Sequence, residues 1–476
     1  MFEMKNLLLI DGRWCDGDAH LEVRNKYDGA LLATVPVASK EQVEKAITAA
    51  TTAFTTTVEP MPAHQRARIL QRASALIERD VDNLAALIAQ EAGKAWKYAV
   101  AEVGRAVQTF QFAAEEAKRI HGETIPMDAA EGGENKLGFY LRCPVGVVAA
   151  ITPFNFPLNL VAHKVAPAIA AGNPVVLKPA STTPLTAIRL GEILTEAGLP
   201  AGALNIIFGG GGTVGEWLVT DPRPAKISFT GSPAVGRRIM SICGLKKVTM
   251  ELGNNSATII DADADLDRAV ARTVMGSFAN SGQVCISVQR IYVQEKVFQD
   301  FVEKFVAATK ALKTGNPLDK DCDVGPMIDE GEARRAIAWV EEAAAQGARV
   351  LTGGTRQGAV MMPTVLVGVR PEMKVVCEEI FAPVVSIVPF GDIQEAIRLV
   401  DSTAFGLQAG IFTGNLAHAL AAVRGINVGG VIINDVPTFR ADHMPYGGNK
   451  RSGLGREGVR FAIEEMTNIK MVCLGL

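Results

Sequence analysis

Early in the chain, Ser39 and Gln42 form a capping-box pattern ahead of Val43, Ala46, Ile47, Ala50 and Phe54. Their three-and-four spacing predicts an amphipathic helix. Helical spacing returns over about 65–90 and about 98–120. A glycine follows each stretch, Gly93 and Gly122, suited to the left-handed turn that ends a helix. Residues 127–142 read as a hairpin, with turn residues around Gly132 and Gly133 and an alternating stretch at 137–141.

From Val145 the period changes. Short β-branched runs at 145–151, 174–178, 204–208, 226–230 and 248–252 alternate with helical segments. Mostly apolar strands separated by helices predict an open, doubly wound α/β sheet whose parallel strands are buried on both faces. Ligands bind such sheets at the carboxyl ends of the strands, which here carry Asn155, Lys178, the glycines at 209–212, and Gly231. A second, less regular strand–helix series runs from Leu252 to about Ile433, with Cys285 early in it and Glu379 late. The last segment, about 461–476, has the character of a strand added to another surface or subunit.

Length and composition narrow the class. A chain of 476 residues exceeds one compact core and implies two large domains with minor elements. A net charge of −3 gives no electrostatic case for nucleic acid or an anionic membrane. No apolar run approaches the roughly 18 residues of a membrane span. The block Leu7 to Ile10 is too short for a signal-peptide core. The seven cysteines are scattered and contain no CxxC pair, which suits reduced thiols in a cytoplasm and argues against a metal site.

Several stretches carry candidate chemistry. A lone cysteine is ordinarily a small buried apolar residue. Cys285, however, follows the polar, glycine-containing lead Asn280-Ser281-Gly282-Gln283-Val284, which suits an exposed thiol beside backbone N–H groups. A free thiol has a pKa of about 8.5 and needs assistance to act near neutral pH. Glu251 ends a strand and is followed by Gly253 two residues on; taken alone it is more often a surface or salt-bridged carboxylate. Asn155 sits between two phenylalanines and two prolines that restrict the backbone, and alone it is equally a turn residue. The run Phe229-Thr230-Gly231-Ser232-Pro233-Ala234-Val235-Gly236 has the G-x-x-x-x-G spacing without the Lys-Ser/Thr of an ATP-binding loop. A helix starting there can hold a pyrophosphate through its N–H groups.

Together the stretches resemble the NAD(P)-dependent aldehyde dehydrogenase superfamily over essentially the whole chain. In family order they are Thr152-Pro153-Phe154-Asn155-Phe156-Pro157, Gly172-Asn173-Pro174-Val175-Val176-Leu177-Lys178-Pro179, Ser228-Phe229-Thr230-Gly231-Ser232, Glu251-Leu252-Gly253, Gly282-Gln283-Val284-Cys285, Glu378-Glu379-Ile380-Phe381 and Pro445-Tyr446-Gly447-Gly448, with Ser452-Gly453-Leu454-Gly455-Arg456-Glu457. The texture is similar to lactaldehyde- and sulfolactaldehyde-type members.

The resemblance implies a cofactor-binding domain over 1–126 and 143–250, a catalytic domain over 251–433 and an oligomerisation element over 127–142 and 461–476. It implies a substrate-tunnel and linker segment over 434–460, a homodimer or homotetramer, and NAD or NADP as cofactor. Cys285 would attack the aldehyde, Asn155 would hold the alkoxide, and Glu251 would activate water against the thioester. Lys178 and Glu379 would meet ribose, Gly231 and Ser232 the pyrophosphate, Phe381 the nicotinamide side and Gly211 the adenine.

Ser181 stands where NAD-restricted members often carry a glutamate, so NADP is expected to be tolerated. Asn254 and Ala382 stand where glycines are usual. Arg105 and Arg440 fall beside the substrate tunnel, with Phe156. If both arginines point inward they would grip a small anionic aldehyde, such as sulfolactaldehyde, lactaldehyde, phosphonoacetaldehyde, glyceraldehyde 3-phosphate or a semialdehyde; the alternative is an outward salt bridge. Two rival readings are a coenzyme A-acylating enzyme, which the presence of Glu251 disfavours, and a catalytically silent binding protein.

Overall fold

A computed structural model describes residues 4–476, so the start of the expected cofactor domain at 1–3 lies outside the described residues. One sheet has eight strands in the order 13–15, 8–10, 204–206, 175–178, 148–151, 226–230, 247–251 and 453–454. The five from 204–206 to 247–251 are parallel. Val148–Ile151, Val175–Lys178 and Lys226–Thr230 are buried at every position; the first is apolar throughout and the second up to Lys178, as burial on both faces asks, whereas the third alternates and buries Lys226 and Ser228 in hydrogen bonds with Thr249 and Lys164. The chain builds outward from 148–151 to 204–206, then crosses to the other side of 148–151 with 226–230. The crevice at this reversal, beyond the carboxyl ends of the strands, receives Thr152 to Phe156 from one side and Gly231 and Ser232 from the other.

A second sheet has the order 349–352, 364–367, 384–390, 290–294, 257–260, 408–412 and 430–433, parallel except at its first strand. Against the first sheet, on the strands 148–151 and 175–178, lies Asn159–Ala171, a helix whose thirteen residues are all buried and which packs on the long helix Trp96–Glu116. The chain thus has the α/β architecture expected, two open sheets with helices between their strands.

Several expected boundaries move. The helical stretch 65–90 is two helices, Ala63–Arg79 and Val81–Ala92, broken at Asp80, whose carboxylate accepts from Asn83 and Arg189. The stretch 98–120 is Trp96–Glu116 and stops before Gly122. Residues 145–147 precede the strand because Gly146 turns with φ 113° and donates its N–H to the Asn173 side chain. The expected hairpin at 127–142 is displaced: Thr124–Ile125 pairs with Lys136–Pro144 across a short turn at Met127–Ala129. The tail strand Thr467–Gly475 forms the other neighbour of Lys136–Pro144, nine residues in register. The segment 434–460 also contributes structure to the first sheet, since Gly453–Leu454 pairs antiparallel with the strand that ends in Glu251.

Candidate active site

Cys285 stands on a turn that the backbone adopts at some cost. Asn280, Ser281 and Gly282 all have positive φ, at 52°, 55° and 69°. Only glycine takes that conformation freely, so the turn needs external support. Support comes from side chains: Ser281 donates to the Gly325 carbonyl at 2.7 Å, Gln283 accepts the Ile328 N–H at 2.9 Å, and Asn280 donates to the Asn155 carbonyl at 3.1 Å. The Asn155 amide donates in return to the Gln283 carbonyl at 2.9 Å. A primary amide carries two hydrogens, so one remains for another acceptor. The Cys285 N–H is used by no hydrogen bond among the described residues.

A cavity of about 430 Å³ joins Asn155, Cys285, Glu251, Gly231, Ser232, Glu379 and Phe381. Glu251 is 3% exposed and neither of its carboxylate oxygens has a hydrogen-bond partner. Burial, reinforced by the Glu457 carboxylate, holds its pKa well above the usual carboxylate range, while Arg440 and Lys164 pull against this. Glu457 itself is held down at about 2: burial opposes its charge, but Lys164 at 3.0 Å and Arg440 at 3.1 Å outweigh it. Burial likewise pushes the Cys285 thiol up to about 11, against a hydrogen bond from Tyr446.

Along the strand ends, Ser232 caps the helix Pro233–Ile242, its side chain accepting the Val235 N–H. A neighbouring cavity of about 350 Å³ is lined by Lys178, Gly211, Gly215, Phe229 and Val235. The Lys178 ammonium, brought down to about 8 by burial, donates only to the Pro179 carbonyl at 3.3 Å. Burial pushes the Glu379 carboxyl up to about 7, and its one hydrogen bond comes from the Asn254 N–H at 2.8 Å. Ser181 donates to the Gly209 carbonyl at 2.8 Å. The Phe381 ring meets Phe154 edge-on at 6.0 Å.

The three residues expected at the substrate do not line either cavity. Phe156 packs in one apolar cluster with Cys285, Val284, Ile286, Met444 and Tyr446. Behind it Arg105 grips Asp442 through Nε and Nη2, at 3.2 and 2.7 Å, with 28% of its side chain exposed. Arg440 is 5% exposed, stacked on the Tyr446 ring and paired with Glu457. Arg440 is therefore internal, and the two arginines do not form an open clamp: the carboxylates of Asp442 and Glu457 compete for both.

The chain patterns left other members of this cluster unmarked. Lys164 and His163 lie in the apolar helix Asn159–Ala171; a lysine within an otherwise apolar run was the available signal. Lys94 and Glu102 form a fully buried ion pair, with Lys94 over the Phe156 ring and Glu102 accepting the N–H groups of Leu158 and Asn159.

An open parallel sheet with a ligand crevice at its reversal, facing a thiol and a buried carboxylate, is the architecture of a nicotinamide-dependent dehydrogenase. Comparison with known proteins gives the family. The chain belongs to the aldehyde dehydrogenase family, whose description matches residues 14–472, and it is an NAD(P)-dependent aldehyde dehydrogenase. It is 48% identical over 469 residues to a 3-sulfolactaldehyde dehydrogenase of Priestia aryabhattai, covering 98% of each chain. Among solved structures it is similar to aldehyde dehydrogenase 21 from Physcomitrella patens in complex with the reaction product succinate, at 43% identity, 98% of each chain and a TM-score of 0.96. It is also similar to the glyceraldehyde-3-phosphate dehydrogenase GapN of Methanocaldococcus jannaschii complexed with NADP, at 40% identity, with 96% of this chain and 100% of that one covered and a TM-score of 0.93. These relatives lend no support to the coenzyme A-acylating alternative.

Proposed function

We propose that the chain oxidises a short aldehyde bearing an anionic group, through a thioester on Cys285. The observation that carries the reading is the meeting of Cys285, Asn155 and Glu251 in one cavity with the groups suited to a dinucleotide. Sγ attacks the carbonyl carbon, and the free amide hydrogen of Asn155 and the Cys285 N–H hold the alkoxide; fixed donors of this kind contribute a few kcal/mol each in a dry site. Loss of hydride leaves the thioester. Glu251 then takes a proton from water as that water attacks the acyl carbon, and the acid departs with Cys285 restored.

The cofactor supplies the two-electron acceptor for hydride. The residues fit it: Lys178 and Glu379 are buried ionisable groups, one in each cavity, with no ion-pair partner among the described residues, a costly arrangement that a ribose hydroxyl at each would relieve. Gly231, Ser232 and the helix behind them would take the pyrophosphate. Gly211 would pass the adenine and Phe381 would border the nicotinamide. Ser181 offers no charge against a 2′-phosphate, which supports use of NADP as well as NAD.

Of the two arginines, Arg105 is the anion contact in this reading, because Nη1 is left free by Asp442 and the side chain is partly exposed. Relatives named for sulfolactaldehyde and aspartate semialdehyde, and the succinate complex, favour sulfonate or carboxylate on the substrate. Assay of sulfonated, carboxylated, phosphorylated and plain short aldehydes by NAD(P)H formation tests it: the anionic members should exceed propanal in kcat/KM, and propanal matching them would refute the reading.

The domain limits given above are part of the proposal. So is a homo-oligomer, supported by the exposed Ile469, Met471 and Leu474 on the tail strand and Leu137 and Leu141 beside it. Light scattering returning a monomer would remove it. A cytoplasmic location is supported by seven unpaired cysteines. Among the described residues no helix is long and apolar enough to cross a membrane.

A further inference from the structure

The Tyr446 hydroxyl lies 2.9 Å from the sulfur of Cys285. Tyr446 is 3% exposed, and its hydroxyl has no other hydrogen-bond partner among the described residues. A buried phenol seeks a partner, so this one is committed to the sulfur. It also cannot swing away. The Arg440 guanidinium stacks 3.7 Å from the ring centroid, and Tyr446 and Glu457 exchange backbone hydrogen bonds at 3.0 and 2.6 Å. A cation over a ring face is held by the ring's electron density and draws on it, which strengthens the O–H as a donor.

The sulfur needs such a donor. It belongs to an apolar cluster with Val284, Phe156 and Met444, it shares its cavity with the carboxylates of Glu251 and Glu379, and among the described residues no basic side chain is hydrogen-bonded to it. Burial alone opposes charge on the sulfur, and the Tyr446 bond and the Arg440 charge act the other way. Resting on the reading of Cys285 as nucleophile, we propose that Tyr446 is a catalytic residue that stabilises the Cys285 thiolate through an O–H···S⁻ hydrogen bond. The S–H bond breaks, its proton passes to water in the cavity and its electron pair stays on sulfur. The phenol keeps its own proton and turns it toward that pair, which then forms the bond to the carbonyl carbon. Arg440 is a positioning residue for the phenol.

The test is the rate at which iodoacetamide alkylates Cys285 between pH 7 and 9, read at that residue by peptide mass spectrometry. Tyr446→Phe keeps the ring and removes the hydroxyl. A hydrogen bond to a charged acceptor is worth about one to two pKa units, and the more basic sulfur left behind is intrinsically more nucleophilic. The net expectation is alkylation slowed about 3- to 10-fold. Met444→Leu disturbs the same apolar cluster and keeps the hydroxyl, and should stay within about 2-fold. Tyr446→Phe within 2-fold of the wild type would overturn the inference, as would an equal loss in Met444→Leu, which would make Tyr446 a packing residue. A Cys285→Ser variant that still forms NAD(P)H would instead remove the underlying reading, a separate result.

Discussion

The carboxylate of Glu379 accepts the backbone N–H of Asn254 at 2.8 Å, joining the turn after Glu251 to a segment 125 residues further along. Because the main chain makes the bond, asparagine in place of the usual glycine leaves it intact. The Asn254 side chain turns away to the Ser256 hydroxyl, and the backbone there has no positive φ that would demand glycine. A Cβ at Gly253, by contrast, would run into the Glu379 carboxylate. Ala382 is similarly free of a positive φ, while its carbonyl stands against Gly282. Both departures from the family pattern are thus absorbed by the backbone.

Glu251→Gln should separate the two half-reactions. A stoichiometric burst of NAD(P)H should be followed by a steady rate about 10²- to 10⁴-fold lower, because the thioester forms and then lacks a base. The wild-type steady rate should rise with pH through the raised pKa of Glu251, since only its ionised form accepts the proton from water. Stopped-flow absorbance at 340 nm measures both; a proportionate loss of burst and steady rate would contradict the assignment.

Arg105→Ala should raise KM for an anionic aldehyde about 10- to 100-fold, the range for losing a charge-assisted contact, and leave propanal within about 3-fold. Arg440→Lys should instead affect both substrates alike, because Arg440 braces Tyr446 and Glu457 rather than facing the tunnel. Steady-state kinetics with the paired substrates decides it.

Ser181→Glu should lower kcat/KM for NADP about tenfold or more and spare NAD, by placing a like charge near a 2′-phosphate. Equal effects on the two cofactors would move the phosphate site elsewhere.

Gly282→Ala should destabilise the fold by about 2–5 kcal/mol, combining a side chain at positive φ with a Cβ forced onto the Ala382 carbonyl. A denaturant melt measures it, and an unchanged midpoint would show that the turn relaxes.

Local order along the chain was legible in its residues. Periodicity alone marks the helix at Lys40–Ala53, capped by Ser39 and Gln42 as expected, and buried parallel strands such as Val148–Ile151, because burial on both faces leaves an apolar run. Cys285, Glu251 and Asn155 were brought out by their resemblance to the family's motifs; taken one at a time, each could have been an ordinary structural residue. What neighbours do to one another across space was not legible. Nothing in the order of residues says that Arg440 is spent on Glu457 and a tyrosine ring, that Asp442 occupies Arg105, or that a phenol 161 positions away rests on the sulfur of Cys285. Hydrogen bonds and charge pairs depend on a few ångströms and on which atoms burial strips of water. Only the packing of segments distant in the chain, such as the loop of Arg440, Asp442 and Tyr446 against the helix Asn159–Ala171 and the turn of Cys285, settles those distances.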